Sequence, residues 1–368
     1  MKRMRGVRIL FTGLVALALL AQQEDAPGQV FRATVNVVEA PVTVTDRDGN
    51  FVTDLKPSDF RLYDNEKSQD IKVDVTYIPI SLVVAVQANW DMEAVLPRLQ
   101  KIGSLFQGLV TGEQGEVAVL CFDHRIQLLQ DFTTDGDLIS QAFKKLKQGS
   151  SSSRMIDAAM EGARMLARRP GNRRRILLLI SETRDRGSEN RERDALLRQQ
   201  FNNVLTYTVN VNRLVTTLTA KAPPPRPDPF PAGARPLPAN VPPTPEATRS
   251  LSVAGASNSA SFIPVIVELF RQAKAVFVDN PAELFTEYTG GREYSFVSQR
   301  DLEKAVNDLG QELHSQYVLS YSPNNKMEAG WHDIRVEVLD GTGRPRRDVK
   351  VRRRPGYWMA AVPESALN

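Results

Sequence analysis

The sequence predicts an α/β fold: a doubly wound, mostly parallel sheet flanked by a β-sandwich built from N- and C-terminal strands. Three observations predict it. Apolar runs (SLVVAV, EVAVLCF, RILLLIS, VLTYTVNV) alternate with helical stretches between residues 80 and 211, as strands of a parallel sheet buried on both faces do. Before this region, from Phe31 to Val75, and after it, from residue 315, apolar and polar residues alternate with period two, the mark of half-buried antiparallel strands. The closing strands have no helices between them to cover their edges, so they need a partner sheet, and the N-terminal β segment supplies it.

The elements follow in order. MKRMRGVRILFTGLVALALLA places four cations ahead of a short apolar core ending in small residues near Ala21, the build of a secretory signal peptide over residues 1–21. No Cys follows at a lipid-attachment position, which points to cleavage and a chain without a membrane span; a retained N-terminal anchor is the alternative. Residues 30–78, with turn chemistry at Asp48-Gly49 and Asp64-Asn65, read as about four antiparallel strands and form one part of the sandwich. The α/β domain occupies 79–314, with helices over 91–110, 135–148, 154–169, 189–203, 263–275, 281–288 and 299–313. A hairpin around Asp123-His124 adds an antiparallel edge strand. Within the domain, 213–261 is a Pro/Ala-rich stretch poor in aromatics, read as a disordered insertion. Strands SQYVLSYSP, WHDIRVEVLD and RRDVKVRRR, within 315–358, complete the sandwich.

Composition narrows the function. The chain has 368 residues, 42% hydrophobic and 24% charged, ordinary for a globular protein of two or three domains. Its basic character belongs largely to the leader: without residues 1–21, 43 basic residues face 43 acidic ones. A general nucleic-acid-binding surface is not supported. Cys121 is the single cysteine and lies in an apolar run, where it packs as a small hydrophobe. The runs Arg173-Arg174-Arg175 and Arg352-Arg353-Arg354 read as a strand entry and a solvated strand face.

Catalytic patterns are absent from the sequence. His124, His314 and His332 show no zinc spacing. There is no G-x-S-x-G elbow and no Gly-rich phosphate loop, and the run Ser150–Ser153 is expected to lie without a histidine beside it. Asp46, Asp48 and Asn50 have calcium-loop spacing, but the closing position is Pro57, so an Asp-Gly hairpin is the reading. Tyr317, Tyr321, Tyr357, Trp331 and Trp358 either line a groove or fill the sandwich core and the domain seam.

What remains is an oxygen-rich edge. Ligands bind beyond the carboxyl ends of the strands in open α/β sheets. There the sequence places QANWD after the first strand, SSSSR before the helix at 154, and SETRD after RILLLI. With VTDLKPSDFRLYDN, SLVVAV, VAVLCFDHRIQLLQDFT, LLLIS, YTVNV, TGGR, SQYVLSYSP and RPGYW in order along nearly the whole mature chain, the sequence resembles exported bacterial proteins with a von Willebrand factor A-related domain.

The resemblance implies a metal-ion-dependent adhesion site, built from Asp-x-Ser-x-Ser, a Thr and an Asp, that leaves one position of a Mg²⁺ ion open for a partner's carboxylate. Its five positions fall here on Gln87, Asn89, Asp91, Ser153 and Glu182. The metal set would be Asn89, Asp91, Ser153 and Glu182, and the ion Mg²⁺ or Ca²⁺. Two carboxylates are retained but displaced, which Ca²⁺ accepts more readily than Mg²⁺. The alternative is that Gln87, Asn89 and Asp91 hydrogen-bond the neighbouring loops, Asp91 capping the first helix. Trp90 is either a contact for a partner or folds back on that helix.

The resulting expectation is an exported interaction module, not an enzyme, secreted or periplasmic, meeting an unknown protein partner through loops 87–92, 149–154 and 182–188. An envelope enzyme or accessory subunit, marked by a His or acid pair of raised pKa in the cleft, is the alternative; so is a scaffold with a non-functional site.

Overall fold

The computed structural model describes residues 37–74, 78–182, 184–211, 280–324 and 330–359. The expected signal peptide, the insertion 213–261 and the helix at 263–275 lie outside them. The alternation before residue 75 resolves into β1 (Val38–Thr45), β2 (Phe60–Asp64), β3 (Lys67–Gln69) and β4 (Lys72–Asp74). The apolar runs become β5 (Ile80–Gln87), β6 (Glu116–Phe122), β7 (Ile126–Thr133), β8 (Arg174–Ser181) and β9 (Val204–Val211), joined by β10 (Glu293–Phe296). Their order across the sheet is β10-β9-β8-β5-β6-β7, parallel except for β7, which pairs antiparallel with β6.

Every residue of β5 is buried, because its alternating side chains fill cores on both faces of the sheet. Leu82, Val84 and Val86 join one apolar cluster, and Val83 and Ala85 the other. Among the described residues, six α-helices accompany the sheet: α1 (Leu96–Leu99), α2 (Gly136–Lys144), α3 (Met155–Ala167), α4 (Glu192–Phe201), α5 (Pro281–Thr289) and α6 (Gln299–Ser315). Capping marks several starts: Asp135 accepts from Asp137 N and Leu138 N, and Ser298 and Asp301 form a reciprocal box.

One helix departs from expectation. The stretch 91–110 is broken into a 3₁₀ turn (Trp90–Met92), the single turn α1 and a π-helical turn (Phe106–Thr111). Pro97 fits only the first turn of a helix. Gly103 is pressed against α2, where a Cβ would stand 2.9 Å from Ser140 Cα. A similar closeness brings α6 in: a Cβ at Gly310 would sit 1.9 Å from Leu109 O.

After α6 the chain forms β11 (Tyr317–Tyr321), β12 (Gly330–Val338), β13 (Lys350–Arg353) and β14 (Gly356–Met359). These pair with the N-terminal strands in two antiparallel sheets, β13-β1-β11-β4 and β14-β12-β2-β3. Tyr317, Tyr321 and Tyr357 enter the core between the sheets, while Trp331 packs edge-on against both Trp358 and Tyr288 of α5.

The arginines at 352–354 are not on a solvated face. Arg354 is buried, and Arg352 pairs with Glu312 of α6, whose side chain has no exposure. Glu312 also accepts from Tyr207 Oη at 2.7 Å and Tyr294 Oη at 3.1 Å. Their partners lie elsewhere in the chain, which is why a local charge run misled. Glu312→Ala would leave Arg352 without its carboxylate partner and two tyrosine hydroxyls without their acceptor. It is expected to cost about 3–5 kcal/mol of unfolding free energy, read by urea denaturation at neutral pH; a loss within surface-pair magnitudes, below about 1 kcal/mol, would contradict this.

Candidate functional site

The carboxyl ends of β5 and β8 open on the loops at 87–92 (the first) and 182–188 (the third), and the loop at 149–154 (the second), which leads into α3, bonds to both. Gly149 N donates to Ala88 O at 2.6 Å and Trp90 N to Ser150 O at 3.0 Å, joining the first loop to the second. Arg186 N donates to Ser153 O at 2.8 Å, joining the third to the second. Glu182 N donates to Gln87 Oε1 at 3.1 Å, joining the third to the first. Residue 183 lies outside the described residues.

Along the first loop the side chains form a relay. Gln87 Nε2 donates to Asn89 Oδ1 at 2.9 Å, and Asn89 Nδ2 to Asp91 Oδ2 at 3.0 Å. The same Asp91 oxygen takes Arg186 Nη1 at 3.1 Å, and Arg186 Nη2 stands 3.9 Å from Glu182 Oε1. Asp91 does not cap a helix: it lies inside the 3₁₀ turn, whose first position is preceded by Asn89 without a side-chain cap. Its charge is met by a guanidinium instead. Trp90 is half-buried at the rim.

Burial, and then the negative charge of Asp91, push the Glu182 carboxyl above its ordinary range, against the pull of Arg186 and Gln87. Ser153 Oγ and Glu182 Oε1 are buried without a hydrogen-bond partner. With Asn89 and Asp91 engaged and a guanidinium already beside both carboxylates, the donors as arranged do not fit Mg²⁺ or Ca²⁺, which ask for six or more oxygens. Among the described residues no group of three or more His, Cys, Asp or Glu side chains is placed to hold a metal ion.

Sequence reasoning missed several residues of this edge. Arg186 is the foremost; its signal was a cation four positions after the acid of the third loop. The serine run does lie beside a histidine, because the β6–β7 hairpin turns at the same edge. Asp123 Oδ2 accepts from Ser150 N at 2.9 Å and meets His124 Nδ1 at 2.8 Å. His124 is well exposed, and Ser150 Oγ accepts from Ser152 N. Asp157 of α3 ties down the third loop, accepting from Glu189 N, Asn190 N, Asn190 Nδ2 and Arg154 Nε.

No family model matches the chain, and no curated protein does. Solved structures match. A von Willebrand factor type A protein from Catenulispora acidiphila is 10% identical over 82% of this chain and 63% of that one, with a TM-score of 0.43. BatB from Bacteroides thetaiotaomicron is 12% identical over 64% of this chain and 98% of that one, with a TM-score of 0.39. The vWF domain of the type V pili tip protein Mfa5 from Porphyromonas gingivalis is 19% identical; the match covers 30% of this chain and only 40% of that domain, with a TM-score of 0.27. The fold itself is a mostly parallel six-stranded sheet with an antiparallel edge strand, covered by helices and flanked by the two antiparallel sheets.

Two stability tests follow from these carboxyls. Burial alone would raise the Asp157 pKa, but the Glu189, Asn190 and Arg154 donors outweigh it and hold the group below the ordinary carboxylate range. Its stabilisation is therefore present above the unfolded value of about 4 and is lost as pH falls through the lower folded value. Asp157→Asn should cost about 1–3 kcal/mol at neutral pH, the two proteins converging in acid. Glu182 has the opposite sign: its charged form is disfavoured in the folded state, a penalty absent below its unfolded pKa and complete above the folded one. Glu182→Gln should raise the melting temperature at pH 7 and leave it unchanged near pH 4, by calorimetry; a lower melting temperature at pH 7 would contradict the assignment.

Proposed function

We propose that this chain is an exported protein-interaction module of von Willebrand factor A type, binding a protein partner through the loops at 87–92, 149–154 and 182–188, with a degenerate metal site. The observation that carries this reading is the resident cation. Arg186 satisfies Asp91 and approaches Glu182, where a bound ion would otherwise serve. The edge then carries Trp90, next in sequence to Asp91, and the Arg186 guanidinium, whose side chain is 41% exposed; Trp and Arg are among the residues most enriched where protein interfaces concentrate their energy. Export rests on the leader sequence and places the mature chain in the periplasm or outside the cell.

Millimolar Mg²⁺, Ca²⁺ or Mn²⁺ should not shift the melting temperature of the mature protein; a rise that grows with ion concentration would show an ion-dependent site. A photoreactive side chain at Ser151, exposed on the second loop, should crosslink a discrete envelope protein, and Trp90→Ala should weaken binding of that protein by roughly tenfold or more. Labelling no different from that at an exposed position on the β-sandwich would rule out this face. Recovery of the chain from the cytoplasm with residues 1–21 attached would rule out export.

The Asp91–Glu182 pair favours a second reading, an envelope enzyme, since an acid of raised pKa in a cleft suits general acid chemistry. The first reading is preferred because Arg186 pairs with Asp91 and stands 3.9 Å from Glu182, and Ser153, the hydroxyl at the site, has no exposure.

A further inference from the structure

At the carboxyl edge the two signs of charge are sorted by exposure. The three loops share this edge with the turn 123–125 between β6 and β7. Asp123 Oδ2 accepts from Ser150 N at 2.9 Å, Arg154 Nη1 donates to His124 O at 3.4 Å, and Arg186 N donates to Ser153 O at 2.8 Å. Over 87–93, 123–125, 149–154 and 182–189 the sequence places six acids and four arginines, a composition that by itself describes a negative edge.

The structure turns the acids inward. Asp123 and Glu182 are buried, and Asp91, Glu93 and Asp185 are half-buried. Asp185 accepts from Ile156 N, Ser188 N and Ser188 Oγ, so its lone pairs hold the chain. Glu189, the exposed acid among these segments, pairs with Arg154 at 3.1 Å. The cations are placed the other way. Arg125, Arg184 and Arg186 are exposed, as is His124. Arg125 and Arg184 make no ion pair and no side-chain hydrogen bond among the described residues. The Arg186 guanidinium hydrogen-bonds through Nη1 alone, to Asp91.

These positions are held by close backbone contact. A Cβ at Gly149 would stand 2.1 Å from Asp123 Oδ2, and one at Gly187 2.4 Å from Ser152 Oγ. The cations are thus carried on loops that fit together only as they stand, which lowers the ordering cost of binding. The excess is local: beyond the leader the chain balances 43 basic against 43 acidic residues, so no broad field drives it onto a polyanionic surface.

We infer that this edge docks an acidic segment of a protein partner, whose carboxylates meet Arg125, Arg184 and Arg186. The inference rests on the protein-binding reading above and extends its face to the turn 123–125. Guanidinium forks match carboxylates in two-point geometry, and opposite potentials across an interface steer the encounter and reject like-charged partners.

Fluorescence anisotropy of the mature protein with labelled deca-glutamate, deca-lysine and deca-glutamine tests the charge rule. Deca-glutamate should bind, at least ~10-fold more tightly than the other two, and should weaken by a similar factor between about 20 mM and about 300 mM NaCl. The double variant Arg125→Glu/Arg184→Glu removes two side chains without partners in the fold, so its melting temperature should hold while deca-glutamate binding falls ~10-fold or more. Arg168→Glu is the control. Arg168 is exposed and follows the last residue of α3, about 20 Å along the helix from the loop at 149–154, and its reversal should change binding by less than ~2-fold. Deca-glutamate binding no tighter than that of the other peptides, or equal losses in the double variant and the control, would overturn the inference. So would binding to phosphatidylglycerol vesicles that the double variant abolishes, in the absence of peptide binding, which would assign the cations to a lipid surface. The crosslink at Ser151 separates this from the reading it rests on: a protein captured there in equal yield by the double variant would overturn the acidic partner and leave the protein-binding face standing.

Discussion

The carboxylate of Glu312 is the point on which the architecture closes. It sits on α6 with no exposed side-chain surface, yet it takes hydroxyls from β9 and β10 and the guanidinium of Arg352 from β13. A charge in so low a dielectric is tolerated only when its partners are complete. One of those partners belongs to the sandwich and two to the α/β sheet, so neither part moves away without exposing an unpaired charge to apolar surroundings. Arg352 Nη1 adds a bond to Gly291 O at 2.8 Å, at the turn leading into β10. The sandwich repeats the device in its core. Asp64 of β2, with no exposure, accepts from Tyr321 Oη at 3.0 Å and Tyr357 Oη at 2.8 Å, and meets His332 Nδ1 at 2.8 Å. Asp64 joins strands that the α/β sheet and its helices separate along the chain, and Glu312 joins that α/β part to the strand β13 that follows it.

That dependence on distant partners explains what the sequence shows and what it hides. The parallel strands are legible because their burial is written locally: VVAV and LLLI have no polar position to turn outward. The sandwich is legible from period-two alternation together with the lack of covering helices. The broken stretch after β5 was readable from Pro97 and Gly103 but for the amphipathic residues Val95, Leu99, Ile102 and Phe106, all of them buried, which imitate one continuous helix. Arg352 and Arg354 are hidden for the opposite reason. A run of like charges is a solvated strand face unless acids and aromatic rings arrive from elsewhere, and their arrival is a property of topology. The candidate site divides in the same way. Its loops are located by the ends of the apolar runs, but the neutralisation of Asp91 by Arg186 bridges 95 positions and has no local period.

At the carboxyl edge the electrostatics decide between an open ion site and a closed polar one. Asp91 and Glu182 approach one guanidinium, and two carboxylates about 4 Å apart would repel by about 4 kcal/mol at an effective dielectric of about 20. Something positive or a shared proton must intervene. Arg186 supplies charge without a defined coordination shell, and its backbone is fixed by Ser153 O, so its placement follows from the loop. The amide relay from Gln87 through Asn89 completes the arrangement by presenting donors, not lone pairs, to Asp91. An amide at Gln87 thus does more than remove a charge: it sets the direction of every hydrogen bond that follows.

The two ends of β8 carry opposite chemistry. The strand begins at Arg174 and Arg175 and ends at Ser181, one residue before the carboxylate of Glu182. Its six residues from Ile176 to Ser181 are buried, and their neighbours on β5 and β9 continue the parallel ladder on both sides. Coupling between distant sites requires an element with two discrete arrangements that each ligand biases. A close-packed central strand, hydrogen-bonded on both edges, offers no second register without turning its apolar side chains to the wrong face. The sheet therefore acts as a fixed spacer. It holds the loop edge after Ser181 and the arginines at its amino end at a constant separation.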